Sequence, residues 1–235
     1  MTLKSILAAF VALFLAAVLH AQSTVALPEP PPAPAPEPEN VLMLDLSTGG
    51  RVAIQLRPDI APRHVERIKT LVREHFYDGI IFHRVIDGFM AQTGDPTGTG
   101  EGGSKLPNLD AEFSRAPHLR GTVSMARTAE PNTANSQFFI MFAPRFSLDG
   151  KYSVFGRVIS GMEYVDAIER GEPPTNPSRI LRASIAADNV PPPALDSIVP
   201  GAPQPSVEMP PAASEPQVEP APAPTQAQPE GAPPS

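Results

Sequence analysis

The chain contains no cysteine and no tryptophan. Without cysteine it can form no disulfide, thiol nucleophile, iron–sulfur cluster or cysteine-linked lipid anchor. It also lacks a charge excess in the stretch where a fold can form. The formal net charge of −7 resides at the two ends. Lys4 is the one charge of the leader; Glu29, Glu37 and Glu39 precede residue 40; Asp196, Glu208, Glu215, Glu219 and Glu230 follow residue 190, leaving 40–190 neutral. A neutral domain has no long-range field to gather DNA or anionic lipid, so no nucleic-acid partner is expected. No internal repeat is present. His64, His75, His83 and His118 lack metal-site spacing, and no metal or cofactor is expected.

Proline is present in excess, but locally. Of 32 prolines, 7 lie in 27–39 and 15 in 191–235, which leaves 10 for the 151 residues between. Proline fixes φ and removes a backbone donor, so LPEPPPAPAPEPE at 27–39 is expected to form neither helix nor strand but an extended polyproline spacer. The tail at 191–235 has too few large apolar residues to offset chain entropy and is expected to be disordered. Ahead of the linker, Lys4 and the uncharged apolar run Ile6–Leu19 have the form of a signal peptide, with small residues at Ala21 and Ala26 for cleavage. The organisation read from this is a signal peptide at 1–21 (or to 26), a linker at 27–39, a folded domain at 40–190 and a tail at 191–235. Export follows, to the periplasm in a two-membrane bacterium. The mature protein is expected to be a monomer without stable membrane insertion.

Within 40–190 the hydrophobic period changes. Leu42, Leu44 and Leu46, then Val52, Ile54 and Leu56, alternate around Thr48-Gly49-Gly50 and predict a hairpin. Pro62 opens a helical pattern through Val65, Ile68, Leu71 and Val72 to about Phe76. Short strands are predicted at 80–86, 89–92, 121–125, 137–142, 153–159 and 180–186, and a second helix from Met162 to Arg170, stopped by Gly171. The fold class is mainly β: a closed antiparallel barrel with two helices.

Two segments carry candidate chemistry. Phe82-His83-Arg84-Val85-Ile86-Asp87-Gly88-Phe89-Met90-Ala91-Gln92-Thr93-Gly94-Asp95 places Arg84, Met90 and Gln92 at even spacings that can share one face, although the Asp87-Gly88 turn resets the register. Arg84 is a lone guanidinium among Phe82, Phe89, Met90 and Phe139. A cation there is costly unless it serves a ligand or an ion pair, for example with Asp87 or Asp95. The second segment runs Val123-Ser124-Met125-Ala126, then Pro131-Asn132-Thr133-Ala134-Asn135-Ser136-Gln137-Phe138-Phe139-Ile140, followed by Leu148-Asp149-Gly150-Lys151 and Val154-Phe155-Gly156. Gly98 to Gly103 spells G-x-G-x-x-G, but no helix start follows it, so a flexible surface loop is expected rather than a dinucleotide site. His83, Ser136 and Asp95 could be drawn as a triad, but no nucleophile elbow surrounds Ser136.

Together these segments resemble the cyclophilins, in type, order and spacing, over about residues 40–190. The resemblance implies an eight-stranded antiparallel barrel capped by two α-helices, peptidyl-prolyl cis-trans isomerase activity, and proline-containing polypeptides as partners. It implies that Arg84 is the catalytic arginine. Phe89, Met90, Phe139 and Leu148 would form the proline pocket, Gln92 and Gln137 would hold the substrate backbone, and His83 and Ala126 would lie in the same lining. The chain departs from the family pattern at Ser147, Tyr152 and Arg127. Two other readings use the same groove or its tethers: a peptide-binding chaperone without turnover, and an assembly protein acting through its proline-rich ends.

Overall fold

The computed structural model describes residues 36–193. The predicted signal peptide, most of the linker and most of the tail lie outside the described residues. The end of the linker and the first domain residue, Pro38–Asn40, form a 3-10 turn closed by the Asn40 N–H on the Glu37 carbonyl at 2.7 Å. This corrects the expectation that the linker takes no helical structure. Proline suits the first position of such a turn, and Glu39 is held by Arg73 at 2.9 Å and Lys69 at 3.3 Å.

Strands β1 (Val41–Leu46) and β2 (Gly50–Leu56) form the predicted hairpin, with Leu42 opposite Ile54 and Leu44 opposite Val52. Gly50 is required there, because a Cβ would sit 2.1 Å from the Tyr164 ring. Helix α1 (Pro62–Arg73) follows and buries Val65, Ile68, Leu71 and Val72. Then come β3 (Arg84–Ile86), β4 (Met90–Thr93), β5 (Thr122–Met125), β6 (Phe138–Met141), β7 (Val154–Ser160), helix α2 (Met162–Asp166) and β8 (Ile180–Ile185). Among the described residues no helix is long and apolar enough to cross a membrane.

All eight strands belong to one antiparallel sheet in the order β3-β4-β6-β5-β7-β2-β1-β8. Register shifts at Asp45/Leu46, Ala53/Ile54 and Val123/Ser124 add local twist and help it curl. The result is a curled half-barrel. Closure, expected from the sequence, does not occur: β3 and β8 share no ladder. The stretch 80–86 was expected to be one strand, but only its last three residues are strand. Ile81 makes an isolated bridge to Arg179, and the stretch 79–82 shares further backbone hydrogen bonds with 178–180, short of a ladder between β3 and β8. The second helix is also shorter than predicted. It ends at Asp166, and the Arg170 guanidinium donates to the Asp166 and Ile168 carbonyls in place of a further turn.

Candidate active site

The strand registers decide which side chains meet. On one rung Arg84 lies opposite Gln92, Gln92 opposite Phe139, and Phe139 opposite Ser124. One rung along, Ile86 lies opposite Met90, and Met90 opposite Met141. Side chains alternate across a sheet, so these residues share one face of β3, β4, β6 and β5. Val85, Ala91, Phe138, Ile140 and Val123 occupy the other face and join the main core. The first face carries its own cluster: Met90, Ala126, Phe139 and Met141, with Ile86, Phe89, Leu148 and Tyr152 packed against it. Phe89, Met90, Phe139, Leu148 and Ala126, named from sequence, are therefore brought together.

Arg84 stands at the edge of this cluster with 36% of its side chain exposed. Its Nε donates to Glu172 Oε2 at 2.7 Å. Neither carboxylate suggested by the sequence takes this role. Asp87 is bound by Arg170 at 3.2 Å, and Asp95 is only 1% exposed and engaged by its own loop. Asp95 accepts from the N–H groups of Thr97 at 2.7 Å, Gly100 at 2.6 Å and Gly102 at 3.1 Å, and from the Thr97 hydroxyl at 2.8 Å. Burial pushes this carboxyl up, but the donors from Thr97, Gly102 and Gly100 prevail and hold it below the usual carboxylate range. The glycine-rich stretch is thus a loop organised around an internal carboxylate, not a phosphate cradle. At Gly102 a Cβ would sit 2.0 Å from Asp95 Oδ1.

Gln92 Nε2 donates to Gln137 Oε1 at 2.8 Å, and Gln137 Nε2 donates to the Gly100 and Gly102 carbonyls, each at 2.8 Å. Gln137 is committed to the loop, and Gln92 keeps its carbonyl oxygen for a ligand. His83 lies against the same loop rather than on the open cluster. It is 5% exposed, neither ring nitrogen makes a well-formed hydrogen bond among the described residues, and a Cβ at Gly100 would lie 3.7 Å from its Cδ2. Burial pushes its imidazole down, Arg84 adds to this, and the Asp95 carboxylate opposes it. The imagined triad is absent, since Ser136 Oγ donates to the Gly94 carbonyl at 2.8 Å.

His118 and Tyr152, assigned no supporting role from residue order, pack against the cluster on the same face. His118 Nδ1 meets Asp149 Oδ1 at 2.9 Å and His118 Nε2 meets Ser124 Oγ at 2.9 Å. The imidazole stacks on Phe139 with centroids 6.3 Å apart. The order Ser–His–Asp has the look of a hydrolase relay, but Ser124 is fully buried and open to no substrate. Tyr152 meets Phe139 edge-on at 5.7 Å. His118 carries no metal-ligand pattern and Glu172 stands 88 residues from Arg84, so neither offered a local sequence signal.

The site therefore combines a mostly buried apolar cluster, a guanidinium beside it with 36% of its side chain exposed, and an amide oxygen on Gln92 without a hydrogen bond among the described residues. It shows no accessible nucleophile, and no acidic or histidine cluster suited to a metal occurs among the described residues. Residues 43–185 match the family model described as cyclophilin type peptidyl-prolyl cis-trans isomerase/CLD. A probable peptidyl-prolyl cis-trans isomerase of Brucella suis is 49% identical over 197 residues, covering 77% of this chain and 94% of the relative. The isomerase ppi1 of Schizosaccharomyces pombe is 42% identical over 143 residues, covering 57% of this chain and 92% of its own length. Among solved structures, a cyclophilin from Hirschia baltica superposes with a TM-score of 0.62 at 32% identity, covering 66% of this chain and 77% of that one. A Cryptosporidium parvum cyclophilin solved in the presence of the dipeptide Ala-Pro gives 0.58 at 30% identity, covering 62% and 98%. With its fold, its second apolar face and these relatives in agreement, the chain belongs to the cyclophilin family and is a peptidyl-prolyl cis-trans isomerase.

Proposed function

We propose that this isomerase acts on X–Pro bonds of exported polypeptides, with Arg84 as the catalytic group and Phe89, Met90, Phe139 and Leu148 as the seat of the proline ring. The observation that carries the reading is the shared rung: Arg84, Gln92 and Phe139 stand side by side on a face that the core does not use. That the Cryptosporidium cyclophilin was solved in the presence of Ala-Pro supports a proline-containing ligand.

Rotation about an X–Pro bond breaks amide resonance, with a barrier of about 20 kcal/mol and an uncatalysed time of tens of seconds. No covalent bond need form. In the twisted state the prolyl nitrogen loses planarity and regains a lone pair. A donor aimed at that nitrogen binds the twisted state more tightly than either planar isomer. Arginine stays protonated across the working pH range, so Arg84 can donate throughout. The apolar wall holds the ring while the preceding residue turns, and the Gln92 oxygen accepts from the substrate backbone. Millisecond turnover requires roughly 10⁴-fold acceleration, about 5.5 kcal/mol. One charged hydrogen bond in a dry site contributes about 2–4 kcal/mol, and the fit of the ring supplies the remainder.

The test is turnover of a short X–Pro peptide by the purified protein and by Arg84→Ala. At least about a tenfold fall in kcat/KM is expected, with the melting temperature unchanged. Full activity in the variant removes Arg84 from the mechanism. Export is supported by Lys4 and the apolar run Ile6–Leu19. Sequencing the N-terminus of protein recovered from expressing cells is expected to find the chain starting after Ala21 or Ala26. An intact Met1 terminus would overturn export by this route.

A further inference from the structure

We propose that Glu172 is a positioning residue for Arg84, holding the guanidinium by its Nε so that both terminal nitrogens are presented to substrate; this rests on the catalytic reading of Arg84 above. The observation lies in how the arginines of this chain grip their carboxylates. Arg51 holds Asp45 with two nitrogens, Nε at 2.7 Å and Nη2 at 2.9 Å. Arg57 holds Asp59 the same way, at 2.7 and 2.6 Å. Arg120 holds Asp166 through Nη1 and Nη2. Such two-pronged pairs consume the flat edge of the guanidinium and serve structure. Arg170 also grips its carboxylate, Asp87, by Nε alone, but its Nη1 is spent on the carbonyls of Asp166 and Ile168. Arg84 differs. Glu172 takes Nε alone, at 2.7 Å, and neither Nη makes a hydrogen bond among the described residues.

The loop that carries Glu172 is fixed to the strand that carries Arg84. Gly171 exchanges two backbone hydrogen bonds with Val85, the neighbour of Arg84, at 2.8 and 2.9 Å. Gly171 has φ 149°, a region open to glycine, and a Cβ there would lie 2.5 Å from Pro174 Cα. The backbone on both sides of the ion pair is therefore set before substrate arrives. An ordinary exposed pair of this kind adds little to stability. Its effect here is to remove rotamer freedom from a long side chain that must meet a short-lived geometry, which is the kind of preorganisation that lowers a barrier.

The experiment compares wild type, Glu172→Ala, Glu172→Gln, Arg84→Ala and the double variant Arg84→Ala/Glu172→Ala on one X–Pro peptide. Glutamine can still accept from Nε, and alanine cannot. Glu172→Ala is expected to lose about three- to tenfold in kcat with KM within about twofold, as befits an interaction expressed in the transition state. Glu172→Gln is expected to keep more than half of wild-type kcat. The double variant is expected to be no slower than Arg84→Ala, because two residues acting through one contact are not additive. If Glu172→Ala melts early, Glu172→Met, similar in length and without a comparable acceptor, takes its place against Glu172→Gln. The inference is overturned if alanine matches wild type, if glutamine is as slow as alanine, or if the double variant loses the product of the two single effects. Absence of turnover in the wild type would instead sink the isomerase reading, a separate outcome.

Discussion

The two faces of β3, β4, β6 and β5 are built from alternate residues of the same strands, yet they are closed by different means. The inner face presents Val85, Ala91, Val123, Met125, Phe138 and Ile140, all within the main core. The outer face presents Met90, Phe139 and Met141 beside Arg84, Gln92 and Ser124. An antiparallel sheet with one face on the core usually turns a polar face to water. Here the second face is apolar too, and it is covered by small satellites, Phe89, Leu148 and Tyr152, rather than by a helix. A second apolar cluster outside the main core, next to a partly exposed guanidinium, suits a proline-binding surface.

Phe138 and Phe139 put this contrast on adjacent residues. Phe138 is fully buried and packs edge-on against Tyr77 and Phe155. Phe139 packs against His118 and Tyr152 on the outer face. Phe138→Ala is expected to cost about 3–5 kcal/mol in a urea titration, as for other buried phenylalanines. Phe139→Ala is expected to cost about half of that or less, and to weaken peptide binding at least about fivefold. Equal stability losses, with peptide affinity unchanged in Phe139→Ala, would make the outer face a second core and nothing more. Arg84→Ala is the complement: turnover falls at least about tenfold, some 1.4 kcal/mol, while stability holds.

Much of this contrast was legible from residue order. The period-2 runs gave the β1–β2 hairpin, and the apolar spacing after Pro62 gave α1, because local patterns report local structure. Arg84, Met90 and Gln92 share a face as their even spacing suggested, since β3 and β4 pair in register across the Asp87-Gly88 turn. What residue order did not carry was contact between distant segments. The ion pair of Arg84 with Glu172, the His118 brace against Phe139 and the open gap between β3 and β8 depend on where loops return. Gln137 shows the same limit. The family resemblance implied a substrate contact there, and its amide NH2 donates to the carbonyls of Gly100 and Gly102. The glycine-rich loop was expected to be free, and its Asp95 centre became visible only once the backbone N–H groups were placed.

A smaller effect separates two buried histidines, His64 and His83. His64, on α1, is fully buried; its Nδ1 meets Glu112 at 2.6 Å, and its Nε2 has no partner. Burial pushes the His64 imidazole down, against the pull of Glu112, and burial likewise pushes His83 down. In the unfolded chain both titrate near about 6.5. Below that pH the unfolded state binds protons that the native state does not, so stability falls as pH falls. The Glu112 carboxyl is raised by burial but carried below its usual value by His64 and the N–H groups of His64 and Arg63, so its contribution is also lost on acidification, at lower pH. Urea titrations from about pH 7.5 to about pH 5.5 are expected to show a loss of up to roughly 1.4 kcal/mol per pH unit for each histidine. His83→Gln should flatten the slope in part. A slope unchanged in that variant would assign the whole effect to His64 and leave the loop-side His83 without a thermodynamic role.

The least effect is expected at the rim of the outer face. Arg127 lies 4.6 Å from the centroid of Tyr152 and donates to the carbonyls of Lys151 at 2.9 Å, Thr128 at 2.8 Å and Ala129 at 2.9 Å. Tyr152 in turn meets Phe139, so Arg127 braces one wall of the proline seat through a single intermediate ring. Arg145 lies 4.8 Å over Phe89 on another wall, with no side-chain hydrogen bond among the described residues. An exposed cation over a ring contributes about 0.5–1 kcal/mol. Arg127→Gln is therefore expected to lower peptide affinity by about two- to fourfold and stability by under about 1 kcal/mol, and Arg145→Gln by less on both counts. Calorimetric titration of one proline peptide against the two variants decides the matter. A larger loss in Arg145→Gln would mean that the Phe89 wall, not the Tyr152 wall, is the side on which the peptide leans, and that the anchoring of Arg127 by three carbonyls serves the 127–133 loop alone.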